Sequence, residues 1–140
     1  MSVVIPSLGG DLCDTLDSIN SSSVYPDEVI VCLPNDSHAV KNADRYENLS
    51  IIYAERYGQV YQRIIGFHQA KGDYICQVDD DLLLDSQCLE KLLSSLKRLP
   101  KASTVSPCLF NINGEPFFKS SKTILLATYY YLINGKNGYK

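Results

Sequence analysis

Short apolar runs alternate with amphipathic segments along most of the chain. The apolar runs at 2–5, 28–33, 49–53, 74–78 and 103–110 have the length and composition of buried strands. Apolar residues recur at helical spacing within 11–22, around 39–43, within 58–73 and within 86–99. Strands that are apolar throughout, alternating with amphipathic helices, indicate an α/β fold: a mainly parallel sheet with helices on both faces.

The predicted helices carry specific expectations for their ends and buried faces. Asp11 is the expected cap of the first helix, and Asp36 or Ser37 that of the second. Gly72 is expected to end the third helix. The apolar face of the third helix is predicted at three positions: Val60, Ile64 and Phe67.

The loops that follow the strands carry the polar residues of interest. In a parallel sheet with right-handed crossovers, these loops lie along one edge, and ligands bind there. Pro6-Ser7, the loop 34–37 and Asp79–Asp81 all fall on this edge. We therefore expect the functional site at the carboxyl ends of the strands.

Three consecutive carboxylates, Asp79–Asp81, directly follow the fourth predicted strand. At ~4 Å and an effective dielectric of about 20, each like-charge contact costs on the order of 4 kcal/mol, so compensation is expected. One interpretation is an acidic turn that caps the next helix, although Asp85 lies closer to that helix. A second is a metal-independent acid–base group. The third is a site for Mg²⁺ or Mn²⁺, hard ions that prefer carboxylate oxygens.

Composition narrows the class of partner and the compartment. A chain of 140 residues with a formal net charge of −3 has no basic excess, which argues against nucleic-acid binding. The chain shows no signal peptide and no apolar run near the roughly 20 residues of a spanning helix. Its odd number of cysteines, with no CxxC pair, indicates reduced thiols in a cytoplasmic protein and no zinc site. The cysteines are Cys13, Cys32, Cys76, Cys88 and Cys108.

The order of these segments resembles the family 2 glycosyltransferases, which are nucleotide-diphospho-sugar transferases of the GT-A (Rossmann-like) fold. The matching segments are "SVVIPS", "TLDSI", "YPDEVIVCLPNDS" and "YGQVYQRIIGFHQAKGDYICQVDDD", which together span roughly 2–110. The last is the most specific, because its G…R…G…AKGD spacing leads into a strand that ends in a DxD-type motif. The resemblance implies inverting transfer of a sugar from a nucleoside-diphosphate sugar to a hydroxyl of a glycan or lipid-linked acceptor.

The resemblance also implies roles for residues before the aspartates. Pro6 and Ser7 would line the nucleotide pocket, and Arg63 would lie near the base and the diphosphate. The family usually has an acidic pair after the second strand, where this chain has "CLPNDS", so Asp36 is the nearest candidate to read the base. The Asn that commonly follows the Arg is Ile64 here, which we expect in the core.

By the same resemblance, Asp79–Asp81 form the DxD-type motif. Asp80 would face the ribose, with Asp79 beside it at the substrate. Asp81, with Asp79 as a second ligand, would hold the Mg²⁺ or Mn²⁺ that bridges both phosphates. The ion would offset the repulsion among the carboxylates and neutralise the diphosphate as it leaves.

The general base that an inverting transfer needs is not evident in the sequence. In the family this carboxylate lies well beyond the DxD motif, and after Asp85 the only acids are Glu90 and Glu115. Glu115 is a weak candidate, so the base is expected outside this chain. We expect 1–110 to be the nucleotide-sugar-binding domain and 111–140 the incomplete start of an acceptor-side region, in a fragment or truncated product.

Two further questions stay open at this stage. The segment "ILLATYYYLI" at 124–133 is either an interfacial segment that contacts anionic lipid at the inner face of a membrane or, as we favour, an acceptor-side element without its partner. The alternative functions are a nucleotidyltransferase, for which "PSLGGD" lacks a basic residue, and a non-catalytic glycosyltransferase-like module.

Overall fold

The computed structural model describes residues 1–100, 103–111 and 113–115. The chain divides into two compact units, Met1–Val105 and Ser106–Lys140. The described part of the first unit contains strands and helices in alternation, with one short 3-10 helix. They are β1 (Ser2–Pro6), α1 (Cys13–Asn20), β2 (Glu28–Pro34), the 3-10 helix (Ala43–Arg45), β3 (Leu49–Ala54), α2 (Gln59–Gln69), β4 (Ile75–Gln77) and α3 (Cys88–Leu96).

The four strands form one parallel sheet in the order β3-β2-β1-β4. Ser2 of β1 lies opposite Glu28 of β2 on one side and Ile75 of β4 on the other. The chain places β2 and β3 successively on one side of β1 and then returns to the opposite side with β4. The switch point of this topology therefore lies between β1 and β4, where open α/β sheets bind their ligands.

Alternate residues of the strands face two different helical layers, as the sequence predicts. On one face the core joins strand residues to α1 and α3, and its members include Val3, Ile5, Val29, Val31, Leu33, Leu16, Ile19 and Leu89. On the other face Val4, Ile30 and Cys32 pack with Ile65 of α2. Both faces of the sheet are covered, so the predicted α/β class is confirmed.

The predicted buried face of α2 is wrong. Val60, Ile64 and Phe67 are 56%, 47% and 41% exposed, whereas Gln62 and Gly66 are buried. The reason is steric: a Cβ at position 66 would lie 2.4 Å from Cγ1 of Val4 and 2.7 Å from Sγ of Cys32. The helix therefore approaches the sheet most closely at its glycine, and apolar spacing alone does not identify that face.

The second predicted helix is also wrong. Val40 forms a parallel bridge with Gly10, and only the 3-10 helix Ala43–Arg45 follows it. The main chain here bonds to the loop after β1, because the N–H of Gly10 donates to the carbonyl of Ala39 (3.2 Å) and that of Lys41 to the carbonyl of Gly10 (2.8 Å). Asp36 and Ser37 consequently cap no helix in the described part of the chain.

The fifth predicted strand, at 103–110, does not form, apart from an isolated bridge residue at Phe110. Local bonds take the place of a ladder there: the Ser103 hydroxyl donates to the carbonyl of Pro100 (2.7 Å), and that of Ser106 to the carbonyl of Pro107 (3.4 Å). Such side-chain bonds compete with strand pairing, and Pro107 has no N–H for a ladder.

The helix ends differ from prediction for a related reason. Asp11 accepts a hydrogen bond from the N–H of Cys13 (3.2 Å) and Asp85 one from that of Gln87 (3.0 Å), so each carboxylate precedes its helix in a local turn instead of capping it. α2 ends at Gln69, before Gly72. At Gly72 a Cβ would lie 2.7 Å from the nitrogen of Ser2, so this glycine permits a close approach to β1.

The described residues of the second unit end in a tight turn. The Asn111 Oδ1 accepts hydrogen bonds from the N–H groups of Asn113 (3.0 Å) and Glu115 (2.9 Å). The assignment of 111–140 to an acceptor-side region stays a prediction, and the segment 124–133 lies outside the described residues. Within the described residues, no helix has the length and apolar character needed to cross a membrane.

Glu28 connects the amino ends of the strands and makes stability depend on pH. Its carboxylate accepts hydrogen bonds from the Ser2 hydroxyl and the N–H of Lys71, both at 2.6 Å, and these bonds, that of Ser2 foremost, lower the pKa of Glu28. A lowered folded-state pKa gives stability that is complete above the unfolded value of 4.5 and is lost as the pH falls through the folded value.

We therefore expect Glu28→Gln to flatten the acid limb of the stability profile by less than about 1 kcal/mol. Urea unfolding at a series of pH values that descends from above the unfolded value of 4.5 to well below it measures the effect. Glu47→Gln, at an exposed glutamate, serves as the control. Equal profiles for wild type and Glu28→Gln would contradict the expectation.

Candidate functional site

The polar residues predicted to act together lie at the carboxyl ends of three strands. Ser7 follows β1, Asp36 follows β2, and Asp79–Asp81 follow β4 by two residues. Because the strands are parallel, these positions share one edge of the sheet. Pro6, the last residue of β1, is fully buried opposite Cys32, so it supports Ser7 and presents no surface of its own to a ligand.

Ser7 and Asp80 connect the two sides of the switch point. The Ser7 hydroxyl donates to Oδ2 of Asp80 at 2.5 Å and accepts a hydrogen bond from the N–H of Gly9 at 3.0 Å. The Thr15 hydroxyl of α1 donates to the main-chain carbonyl of Asp80 at 2.9 Å. Both the carboxylate and the backbone of Asp80 are thus fixed by residues near the start of the chain.

Asp79 is paired with Arg63 of α2. The Arg63 Nη2 lies 2.7 Å from Oδ1 of Asp79 and 3.4 Å from Oε1 of Gln59, while the Arg63 Nε is buried without a partner among the described residues. The Arg63 side chain is 23% exposed and that of Asp79 is 44% exposed. An ion pair this exposed to solvent contributes little to the stability of the fold, so its main effect is to neutralise one of the three negative charges of Asp79–Asp81.

Asp81 is exposed and makes no hydrogen bond or ion pair with any residue that the structure describes. Within the same residues, no three His, Cys, Asp or Glu side chains converge as a complete metal cage. Mg²⁺ usually takes one or two protein carboxylates and completes its shell with water and substrate phosphates. A single free carboxylate beside a neutralised neighbour therefore fits an ion held jointly by protein and substrate.

Asp36 lies on the exposed loop after β2, in contact with Tyr57, which precedes α2. The Tyr57 hydroxyl donates to the Asp36 carboxylate, and this bond raises the pKa of Tyr57. Tyr57 is 61% exposed, so an aromatic ring and a carboxylate are presented together to solvent. The sequence gives no signal for this pair, since the two residues are far apart along the chain.

The loops after β1 and β2 are joined through their main chains, a feature we call the loop clamp (residues 8–10 with 38–41). Gly9 has φ +83°, and a Cβ there would lie 1.8 Å from the carbonyl oxygen of His38. The N–H of His38 donates to the carbonyl of Leu8 at 3.3 Å. Only glycine allows this approach, so the two loops lie in direct main-chain contact close to Ser7.

Besides Tyr57, two residues of the site were not predicted from the sequence. Thr15 lies on the buried side of α1 and binds the Asp80 backbone. Gln62 is 2% exposed, and its Nε2 donates to the main-chain carbonyls of Ser7 (2.7 Å) and Cys32 (2.6 Å). The available signal for Gln62 was its position four residues before Gly66, which places the two on the same face of α2.

Glu115, the weak candidate for a general base, lies in the turn of the second unit. The Asn111 Nδ2 donates to its carboxylate at 3.5 Å. A catalytic role for Glu115 stays a prediction.

Fold and site together define an α/β domain whose polar residues surround the switch point of a parallel sheet. Comparison with known families identifies it further: the profile of the family described as "Glycosyl transferase family 2" matches residues 2–139. The chain belongs to this family, as the sequence resemblance predicted. No curated protein matches the chain significantly.

Solved structures with a similar fold include two of TarS from S. aureus. The first has a TM-score of 0.56 at 20% identity and covers 69% of this chain and 19% of that chain. The second, of TarS 1-349, has a TM-score of 0.57 at 18% identity and covers 79% of this chain and 39% of that chain. At identities this low, the structural match establishes only the shared GT-A-type α/β fold. This chain spans only part of the TarS length.

Proposed function

We propose that this domain binds a nucleoside-diphosphate sugar and that the protein transfers the sugar to a hydroxyl of a glycan or lipid-linked acceptor. The observation that carries the proposal is the Ser7–Asp80 hydrogen bond across the switch point, next to Asp81, which is exposed and pairs with none of the residues that the structure describes. Family membership supports glycosyl transfer as the reaction class.

Each side chain at the edge has a distinct part in this proposal. The Ser7 hydroxyl donates to Oδ2 of Asp80. The other oxygen, Oδ1, has no hydrogen bond to any described residue, so it can accept one from a ribose hydroxyl. Arg63 supplies a guanidinium beside the aspartates, which suits a diphosphate. Asp36 and Tyr57 present a carboxylate and a ring toward the base.

The family resemblance also implies a divalent cation, and the chemistry of Asp81 fits one. Asp81 would hold Mg²⁺ or Mn²⁺ together with phosphate oxygens, and Asp79 is available as a second ligand only through the oxygen that Arg63 does not bind. Such an ion supplies positive charge that stabilises the leaving diphosphate.

Location and further partners belong to the same proposal. All five cysteines, which lie in the described part of the chain, are free thiols, and this supports a reducing, cytoplasmic compartment. Contact with the inner face of a membrane would involve the segment 124–133, which lies outside the described residues.

Binding of UDP and GDP, measured by calorimetry with and without Mn²⁺, tests the proposal. We expect one of the two to bind the wild-type chain at least about tenfold more tightly with Mn²⁺, a coupling of about 1.4 kcal/mol. In Asp81→Asn this ratio should fall to about one, because the carboxylate that holds the ion is lost. Asp73→Asn is the matched control, since it removes the same charge just before the opposite end of β4.

The other outcomes distinguish the alternatives. Preference for a nucleoside triphosphate over either diphosphate would favour a nucleotidyltransferase. Absence of nucleotide binding would leave a non-catalytic module of glycosyltransferase shape. Metal-dependent binding that survives in Asp81→Asn would contradict the assignment of Asp81.

A further inference from the structure

Gln62 is a polar side chain buried at the base of the candidate site. It is 2% exposed, and its Nε2 lies 2.7 Å from the carbonyl oxygen of Ser7 and 2.6 Å from that of Cys32. The carboxamide nitrogen has two hydrogens, and both find acceptors in these carbonyls. The N–H of Ser7 donates to the same Cys32 carbonyl at 3.0 Å, so three groups meet at this point.

The hydrogen bonds from Gln62 matter because of where the carbonyls of Ser7 and Cys32 lie in the sheet. Cys32 lies in β2, and Ser7 is the first residue beyond β1, where the chain leaves the ladder. Without Gln62 the carbonyl of Ser7 would be a buried acceptor at a free strand end, and such a group costs free energy when it is unpaired. The amide of Gln62 therefore fixes the peptide that follows Ser7.

A fixed peptide orients the Ser7 side chain, because the hydroxyl lies one bond from the Cβ of the same residue. That hydroxyl donates to Asp80 at 2.5 Å. The next residue of α2, Arg63, contacts Asp79 at 2.7 Å. Two consecutive residues of one helix thus hold the two sides of the switch point, Gln62 through the backbone of Ser7 and Arg63 through the carboxylate of Asp79.

We propose that Gln62 is a positioning residue of the donor site: it holds Ser7 so that the Ser7 hydroxyl keeps Asp80 oriented toward the nucleoside. This inference rests on the proposed function. It differs from a merely structural role, in which Gln62 only anchors α2 to the sheet and its loss lowers stability without changing affinity for the donor.

The test compares Gln62→Met with a matched packing variant of the same helix. Methionine keeps the length of the side chain but donates no hydrogen bond. Ile65→Ala removes apolar contacts with the layer of Val4, Ile30 and Cys32 and leaves the amide contacts intact. Melting temperature and the Kd for UDP and GDP with Mn²⁺ are measured for both variants in the full chain.

We expect Gln62→Met to raise the Kd of the diphosphate that the wild type binds by about tenfold. Ile65→Ala should lower the melting temperature and change the Kd by less than about twofold, because it leaves Ser7 in place. A Kd in Gln62→Met that stays within this control range would overturn the inference. Wild type that binds neither diphosphate would refute the proposed function itself, and the inference with it.

A double-mutant cycle with Ser7→Ala distinguishes a positioning role of Gln62 from a purely structural one. If Gln62 acts through the Ser7 hydroxyl, Gln62→Met should change the Kd less in the Ser7→Ala background than in the wild type. Additive changes in log Kd would overturn the proposal. Should Gln62→Met not fold, Gln62→Ala takes its place, since alanine also lacks the amide hydrogens and leaves space for water to bond to the two carbonyls.

Discussion

Gly66→Ala is expected to lower the free energy of unfolding by about 2 kcal/mol, although alanine is normally the better helix residue. The added methyl would lie 2.4 Å from Cγ1 of Val4 and 2.7 Å from Sγ of Cys32. Both neighbours are 0% exposed and lie in central strands of the sheet, so neither can move aside without disturbing the layer. Overpacking of this kind costs about 1–3 kcal/mol, occasionally more, which exceeds the gain of up to about 1 kcal/mol in helix propensity.

Urea unfolding of Gly66→Ala beside Val60→Ala measures this effect. Val60 lies on the same helix but is 56% exposed, so its replacement should change stability by no more than about 0.5 kcal/mol. An unchanged or raised stability of Gly66→Ala would show that α2 does not approach the sheet as closely as this packing requires.

Arg63→Met is expected to raise the Kd for the bound diphosphate by about 30-fold, equivalent to about 2 kcal/mol, the value of a charge-assisted hydrogen bond. The substitution removes the guanidinium that would contact the diphosphate. It also leaves Asp79, now paired at 2.7 Å, as an uncompensated negative charge facing an anionic ligand. Arg63→Lys should restore only part of the affinity, because an ammonium does not reproduce the geometry of the guanidinium.

A second variant separates the two effects of Arg63. In Arg63→Met combined with Asp79→Asn the uncompensated charge is absent, so calorimetry should show tighter binding than in Arg63→Met alone and weaker binding than in the wild type. Full recovery would mean that Arg63 only neutralises Asp79. No recovery would mean that repulsion from Asp79 has no part in the loss.

The strands and the fold class could be predicted because buried parallel strands are apolar throughout. β1, β2 and β3 begin at the predicted residues and end one residue later than predicted. The orientation of α2 could not be predicted from apolar spacing. It depends on the absence of a side chain at Gly66, which lets this face of the helix lie against the sheet. The helix predicted around Val40 does not form, because main-chain hydrogen bonds to the loop after β1 take precedence over its helical spacing. The sequence does not reveal these bonds.

The candidate site could be predicted in position but not in connectivity. Strand ends on one edge of a parallel sheet bring Ser7 and the aspartates together by topology alone. Their pairing depends on tertiary contacts: Arg63 with Asp79, and the Ser7 hydroxyl with Asp80. The supporting residue Gln62 is harder still to predict, because a glutamine in an amphipathic helix ordinarily faces solvent.

At the carboxyl edge of the sheet, the loop clamp separates the residues that set the backbone path from those that present functional side chains. Its path is set by Gly9 and by main-chain hydrogen bonds, whereas Asp36, earlier in the loop after β2, and Tyr57, before α2, take no part in it. The side chains of Asp36 and Tyr57 can therefore be exchanged without changing the backbone path of the loop clamp. If Asp36 and Tyr57 contact the base as proposed, substitutions at these two positions would alter nucleobase selectivity at little cost in folding stability.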